Sequence, residues 1–339
     1  MSINPANYGF YIEKQTAKGT AATMAATSYF LERIEGDVAV DKEWAKLQTG
    51  GTAGWGGGRA YLSGVKMTSD TITVMCSPKM AGAVMAWCLG DDAITGTVDP
   101  WTHTMVPAAT SPWVTLWRQV DDQWQRMKDC KIVEWAFEAA NEGDSIVARF
   151  VLKFAVCALP VHLATAPANL PTKETQFYTF WMGTGAWLVN MGGGSEVAQS
   201  GIGKVRIAAT RPTSTPKGET FLPADAFHGV GNIELGYDVL ATDHVVEFLH
   251  LFGASDPADL AAINMALVTG SLNFTLTCEA VNDILTFDVG YIEYRPEGIA
   301  IVPDANGTES YYRMVGDAEG TAPLMTVTLK NNVSTAYDA

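Results

Sequence analysis

Alternation of apolar and polar residues at a period of two limits the folds open to this chain more than any other feature. Val133, Trp135 and Phe137 alternate with Glu134 and Glu138; Ile146, Ala148, Phe150, Leu152, Phe154 and Val156 alternate with Arg149 and Lys153. The pattern recurs at Val205, Ile207 and Ala209 against Lys204 and Arg206, and at Ile233, Leu235, Tyr237 and Val239 against Glu234 and Asp238. It recurs again at Leu272, Phe274, Leu276 and Cys278 against Asn273, Thr275 and Thr277. Successive side chains of a strand point to opposite faces, so each stretch predicts a strand with one buried and one wet face. Val281-Asn282-Asp283 turns the chain into Leu285, Phe287, Val289 and Tyr291 as a hairpin, Asn306-Gly307 marks a further turn, and Met325, Val327 and Leu329 make a final strand.

Two stretches carry a helical period. Between Ser63 and Asp92 a strand-like run feeds a helix of about three turns, with Ser77 as N-cap, Pro78 where a missing N–H costs nothing, and Gly90 as the stop. Met80, Val84, Trp87 and Cys88 share one face, while Gly82, Ala83 and Ala86 leave room for a neighbour on the other. From Gly229 to Gly253 strand, helix and glycine stop return, with Val245, Phe248, Leu249 and Phe252 as the stripe. These units predict a mainly β chain of two β-sandwich or barrel domains, each with one short helix packed on its sheet. The first domain is expected over 1–157 and the second over 175–339, joined by the Pro- and Ala-rich segment 158–174. Residues 1–28 read as an extended arm or loop and Thr97–Ser111 as a connection.

Asp41 to Leu62 shows no apolar period and reads as a long loop. It holds Trp44, Gly50, Gly51, Trp55, Gly56, Gly57, Gly58 and Arg59. A loop of about twenty residues inside a compact domain is usually functional or ordered by a partner, and a merely solvated one rarely keeps two tryptophans.

Composition narrows the function classes. Hydrophobic residues make up 47% and charged ones 17%, too few charges to coat two free domains, which predicts that much surface is covered in an oligomer. The chain has 37 acidic and 22 basic residues and no Lys/Arg cluster, so phosphate-neutralising nucleic-acid binding is not expected. An acidic surface can still serve near DNA by repelling its backbone. The N-terminus lacks the basic and apolar regions of a signal peptide, and the longest apolar run is about half of the ~20 residues a bilayer requires, so a cytosolic, membrane-free protein is expected. Five widely spaced cysteines then read as reduced core thiols.

Catalytic patterns are not found. Gly50 to Gly58 lacks the Gly-Lys-Ser/Thr and following helix of a phosphate loop. The histidines at 103, 162, 228, 244 and 250 show no ligand spacing and read as satisfied side chains. Asp304 to Glu309 fits a turn better than a calcium loop, and Asp91-Asp92 and Asp121-Asp122 fall beside a helix stop and in a hairpin turn. No enzyme, cofactor or metal is expected. The ten tryptophans, Trp113, Trp117, Trp124, Trp135, Trp181 and Trp187 among them, read as sheet core or subunit interface. A sugar-binding or sugar-hydrolysing β-sandwich is the alternative, which a tryptophan-lined groove with a carboxylate pair would favour.

The order of parts resembles the tail tube (major tail) proteins of long-tailed bacteriophages, two-domain type. The resemblance rests on FLERIEGDV, the Gly-rich stretch with GGR at 57–59, the strand-to-helix unit closing in CLG, THTMVP with Thr102-His103-Thr104, and SPWVTLWRQ. In the second half it rests on FYTFW, KVRIAAT and GNIELGYDVLATDH. It implies a structural subunit of the virion tail, assembled in the host cytoplasm into stacked rings around a channel that conducts DNA during ejection. Implied partners are further copies of the chain, as a trimeric ring of pseudo-sixfold symmetry or a hexamer, with the long loop reaching the next ring. A tape-measure protein and DNA would occupy the channel without specific binding, and tail terminator and distal tail proteins would close its ends. The inner tube of a contractile machine shares this physics.

Overall fold

A computed structural model describes residues 8–49, 57–141, 143, 146–191, 197–199, 201–214, 216, 222–240, 252, 267–278, 282–295, 300–303, 310–320 and 323–338. Strands β1 (Tyr8–Lys14) and β2 (Tyr29–Leu31) precede the long β3 (Arg33–Thr49) and β4 (Gly57–Met75) and helix α1 (Pro78–Leu89). Then come β5 (Gly90–Thr95), β6 (Trp101–Pro107), β7 (Val114–Val120), β8 (Gln123–Ala140), β9 (Arg149–Val156) and β10 (Val161–Leu163). The second half supplies β11 (Gly183–Met191), β12 (Val197–Gln199), β13 (Ile202–Thr210), β14 (Thr213–Ser214), β15 (Phe227–His228) and β16 (Asn232–Leu240). It ends with β17 (Val268–Cys278), β18 (Asp283–Tyr294), β19 (Ala300–Pro303), β20 (Ser310–Ala318) and β21 (Thr326–Asn331). The protein is mainly β, as the alternation predicts, and its strand pairs are antiparallel.

Strands of both halves share sheets. β4, β9, β8, β13, β16 and β20 pair side by side, β8 joining β9 from the first half to β13 from the second. Opposite them β5, β6, β21, β18, β17 and β11 pair in turn, β6 from the first half joining β21 from the second. Their inner faces meet where Phe137 of β8 packs 4.6 Å, centroid to centroid, from Phe287 of β18, and where Trp187 of β11 stacks on Tyr237 of β16. One continuous buried cluster holds residues from 10 to 337. The segment 158–174, expected to be a linker, contains β10, which pairs back onto Trp124–Arg126 of β8. Division in chain order is therefore not a division of the core.

Helix α1 has the expected limits, and Gly90 closes it in the left-handed conformation (φ 100°) with its N–H on Ala86 O. Ser77 is extended at the N-cap but makes no side-chain cap bond; Glu174 Oε2 accepts from Lys79 N instead, at 3.2 Å. The helix is not one-sided. Every residue except Lys79 is buried, because the chain's end covers the Gly82 face: a Cβ on Gly82 would lie 2.4 Å from the Tyr337 ring, and Trp87 Nε1 donates to Tyr337 O at 2.9 Å. The second expected helix, from Asp243, and the turn at 304–309 lie outside the described residues apart from Phe252, which is helical.

Two further expectations are corrected. Thr97–Ser111 is not a connection, since it contains β6, paired with β5 on one edge and β21 on the other. The inward residues of β6 are His103 and Met105, and a histidine at a core position hides the alternation. Asp41 to Leu62 is not a loop either. Residues up to Thr49 belong to β3 and residues from Gly57 to β4, so a hairpin replaces it.

Candidate functional site

The β3–β4 hairpin extends beyond the strands that flank its base. Its register runs from Arg33 opposite Val74 to Thr49 opposite Gly57, interrupted by bulges near Glu35, Val40 and Trp44. Beyond Thr71, where β4 leaves its pairing with β9, the two strands bond only to each other among the described residues. At about 3.3 Å per residue, the twelve steps from Asp37 to Thr49 make roughly 40 Å of strand, of which the first part, with Val38, Val40 and Met67, still packs on the core. An isolated two-stranded ribbon is marginal in water, and both its edges offer unpaired N–H and C=O groups.

The base of the ribbon is fixed by a compact set of contacts. Arg118 on β7 forms a bidentate pair with Asp37, Nε to Oδ1 at 2.8 Å and Nη2 to Oδ2 at 2.5 Å, and Nε also reaches Tyr8 Oη at 3.2 Å. Arg33 lies 4.1 Å from the centroid of the Tyr8 ring. Burial tends to lower the Arg118 pKa, but the bonds to Asp37 and Tyr8 outweigh it and raise it. Gly36 permits the first bulge: its φ is +81°, and a Cβ there would lie 2.2 Å from Thr71 O. Higher up, Lys66 and Glu43 make one exposed pair at 3.3 Å.

The residues expected in a loop fall along this ribbon. Trp44 stands opposite Leu62, and Gly57, Gly58 and Arg59 stand opposite Thr49, Gln48 and Leu47. Gly50, Gly51, Trp55 and Gly56 lie outside the described residues. The sequence pattern missed the strand character here because the stretch is rich in glycine and charge and carries a bulge between Glu43 and Trp44.

A second surface feature crosses the sheet at its wet face. Arg149 (β9), Glu138 (β8), Arg206 (β13), Glu234 (β16), Arg295 and Asp317 (β20) form a chain of ion pairs at 2.9, 3.2, 3.0, 3.1 and 2.5 Å. Lys153 with Glu134 and Arg313 with Asp238 flank it, at 2.8 and 2.9 Å. Exposed pairs contribute roughly 0–1 kcal/mol each, so the ladder's main effect is on the surface presented: its guanidinium groups are already taken by carboxylates. Opposite charges at wet positions of 134, 138, 149, 153, 204, 206, 234 and 238 were legible in sequence, but which strands adjoin was not.

His103, five of the tryptophans and four of the cysteines are buried. His103 is fully buried with Nδ1 2.9 Å from Asp92 Oδ2 and Nε2 3.0 Å from Val333 O. A carboxylate and a carbonyl at its two nitrogens favour the doubly protonated, charged ring. Burial opposes that charge, but the Asp92 bond and charge together with the Val333 carbonyl outweigh it and raise the pKa. Trp87, Trp117, Trp124, Trp135 and Trp187 are buried, and Trp181 is exposed. The cysteines at 76, 88, 130 and 278 are buried and in no disulfide; Cys157 is half-buried, and burial pushes its thiol up to about 11. Among the described residues no three His, Cys, Asp or Glu side chains stand together as a metal site, and no helix is long and apolar enough to cross a membrane. Comparison with models of known protein families and with curated proteins finds no match.

Proposed function

We propose that this chain is a self-assembling structural subunit of a bacteriophage-type tail tube, forming stacked rings around a channel that passes DNA. The observation that carries the reading is the β3–β4 ribbon, which runs on past the pairing of β4 with β9 to Thr49 opposite Gly57 with no third strand paired to it among the described residues. A ribbon of this kind gains stability by adding its edge to another sheet, and in a homo-oligomer the available sheet is that of the next copy. The paired-charge face suits a channel wall. DNA binds where lysine or arginine neutralises phosphate and releases counterions, and side chains already engaged by carboxylates offer little such gain. An acidic chain carrying few charges, with a resemblance to tail tube proteins on residues in both halves, supports the same reading.

In that reading the ring holds three copies with pseudo-sixfold symmetry, or six copies. Tape-measure protein and DNA would be lumenal occupants without specific contacts, with terminator and distal tail proteins at the ends and the virion tail as the location. Electron microscopy of the purified protein tests the reading: rings or tubes are expected, and native mass spectrometry of a single ring counts its chains.

A further inference from the structure

Two buried donors remain without a partner on one side of the sandwich. Arg211, directly after β13, donates from Nη2 to Ala108 O at 2.7 Å and to Leu89 O at 3.3 Å, tying itself to the C-terminal end of α1, while its Nη1 is buried and unbonded. His228 on β15 has Nε2 2.8 Å from Ser111 Oγ, and its Nδ1 is also buried and unbonded. With Ser111 donating, the neutral ring carries its proton on Nδ1. Arg211 and His228 line one cavity of about 510 Å³, whose remaining wall is mostly apolar, with Leu89, Trp135, Ala209, Ile233 and Leu324. Val230, also in its lining, is 94% exposed.

Charge around this cavity is unbalanced. Behind β15, Lys131 is 8% exposed, donates to Ala226 O at 3.1 Å and lies 4.4 Å from the centroid of Trp113. Among the described residues neither Lys131 nor Arg211 forms an ion pair, although the chain has 37 acidic residues for 22 basic ones. A buried charge is costly unless paired and hydrogen-bonded, and a buried unbonded donor costs its desolvation. Burial, then the charges of Lys131 and Arg211, push His228 down to about 4, as expected in a positive field.

We propose that this cavity is a binding site for a carboxylate with an apolar body, its oxygens taken by Arg211 Nη1 and His228 Nδ1–H and its hydrocarbon part resting on Leu89, Trp135 and Ile233. One anionic head against a largely apolar wall fits a monocarboxylate better than a phosphate, which would need polar groups on several sides. The carboxylate comes either from a free aliphatic acid or from an acidic side chain of a second copy. The inference does not depend on tube formation.

Hexanoate is the probe and hexanamide its uncharged counterpart. Calorimetric titration of the full chain at pH 7 should show saturable hexanoate binding and at least tenfold weaker hexanamide binding. At ten times its dissociation constant hexanoate should raise Tm by about 1–3 °C. Val230→Trp, changed at an exposed position to fill the mouth, should weaken hexanoate binding at least tenfold without loss of folding. Arg211→Gln should do the same where it folds. Equal affinity for hexanoate and hexanamide, no binding of either, or unaltered hexanoate binding by Val230→Trp would overturn the proposal. Light scattering with saturating hexanoate separates the sources: falling oligomer mass assigns the site to a second copy, and constant mass assigns it to a free acid.

Discussion

Single residues set how this fold responds to pH and to substitution. Asp283, at the start of β18, is 6% exposed; burial, then the negative charges of Glu174 and Asp99, push its carboxyl up to about 6. A folded-state pKa above the unfolded value near 3.9 means the protonated form is favoured by folding. Its stabilising contribution is complete below pH ~4 and is lost as pH rises through about 6. His103 acts in the same sense: its pKa is raised, so its contribution is present below pH ~6.5 and is lost as pH rises through the folded value. Urea titrations at pH 4, 6 and 8 should therefore find Asp283→Asn more stable than the parent at pH 8, with the gap closing toward pH 4. A gap independent of pH would contradict the assignment. Gly36 is limited by backbone rather than charge. Gly36→Ala combines a left-handed φ with a clash on Thr71 O and should weaken the ribbon base by about 1–3 kcal/mol. Hydrogen exchange across 33–43 and 64–74 would show it as faster exchange there, with β16 and β17 unaltered.

Among the elements, the β3–β4 ribbon carries the functional prediction. Removing residues 48–58 should leave the sandwich folded, because the shortened strands keep their base contacts through Asp37 and Arg118, yet stop tube growth. Circular dichroism and thermal unfolding check the fold, and microscopy checks assembly. Normal tubes from the shortened chain would give the ribbon another role. Element scale also shows what was legible in the sequence. Strands β8, β9, β13, β16, β17, β18 and β21 were read from alternation, and α1 from Pro78 and Gly90, because each holds a readable run of one period, although β8, β13 and β17 also contain a bulge. β6 was hidden by His103 at an inward position, and the ribbon by its glycines and the bulge at Trp44. The full burial of α1 could not be read locally, since the ring that covers Gly82 comes from Tyr337, 255 positions later (337 minus 82). Arg211, His228 and Lys131 had no sequence signal: they are distant in the chain and meet because the β14–β15 excursion folds back onto the first half.

At the scale of the whole molecule, chain halves and structural units differ. Each half contributes one block of neighbouring strands to each layer, and the halves are joined by the β8–β13 and β6–β21 pairings and by one buried cluster, so the two are expected to unfold together. A single transition in calorimetry, with calorimetric and van't Hoff enthalpies in agreement, would accord with that; two separated transitions would not. The paired-charge face belongs to this scale as well, since its ladder from Arg149 to Asp317 exists only when β9, β8, β13, β16 and β20 lie side by side. The central claim is that this sandwich closes into rings and that its ribbon joins one ring to the next. A cryo-electron microscopy reconstruction of the purified, assembled protein tests it most directly. The account predicts a hollow tube with the charge ladder on the channel wall and the β3–β4 ribbon paired to a sheet of the adjoining ring. A protein that stays monomeric at high concentration, or an assembly in which the ribbon touches no neighbour, would contradict it.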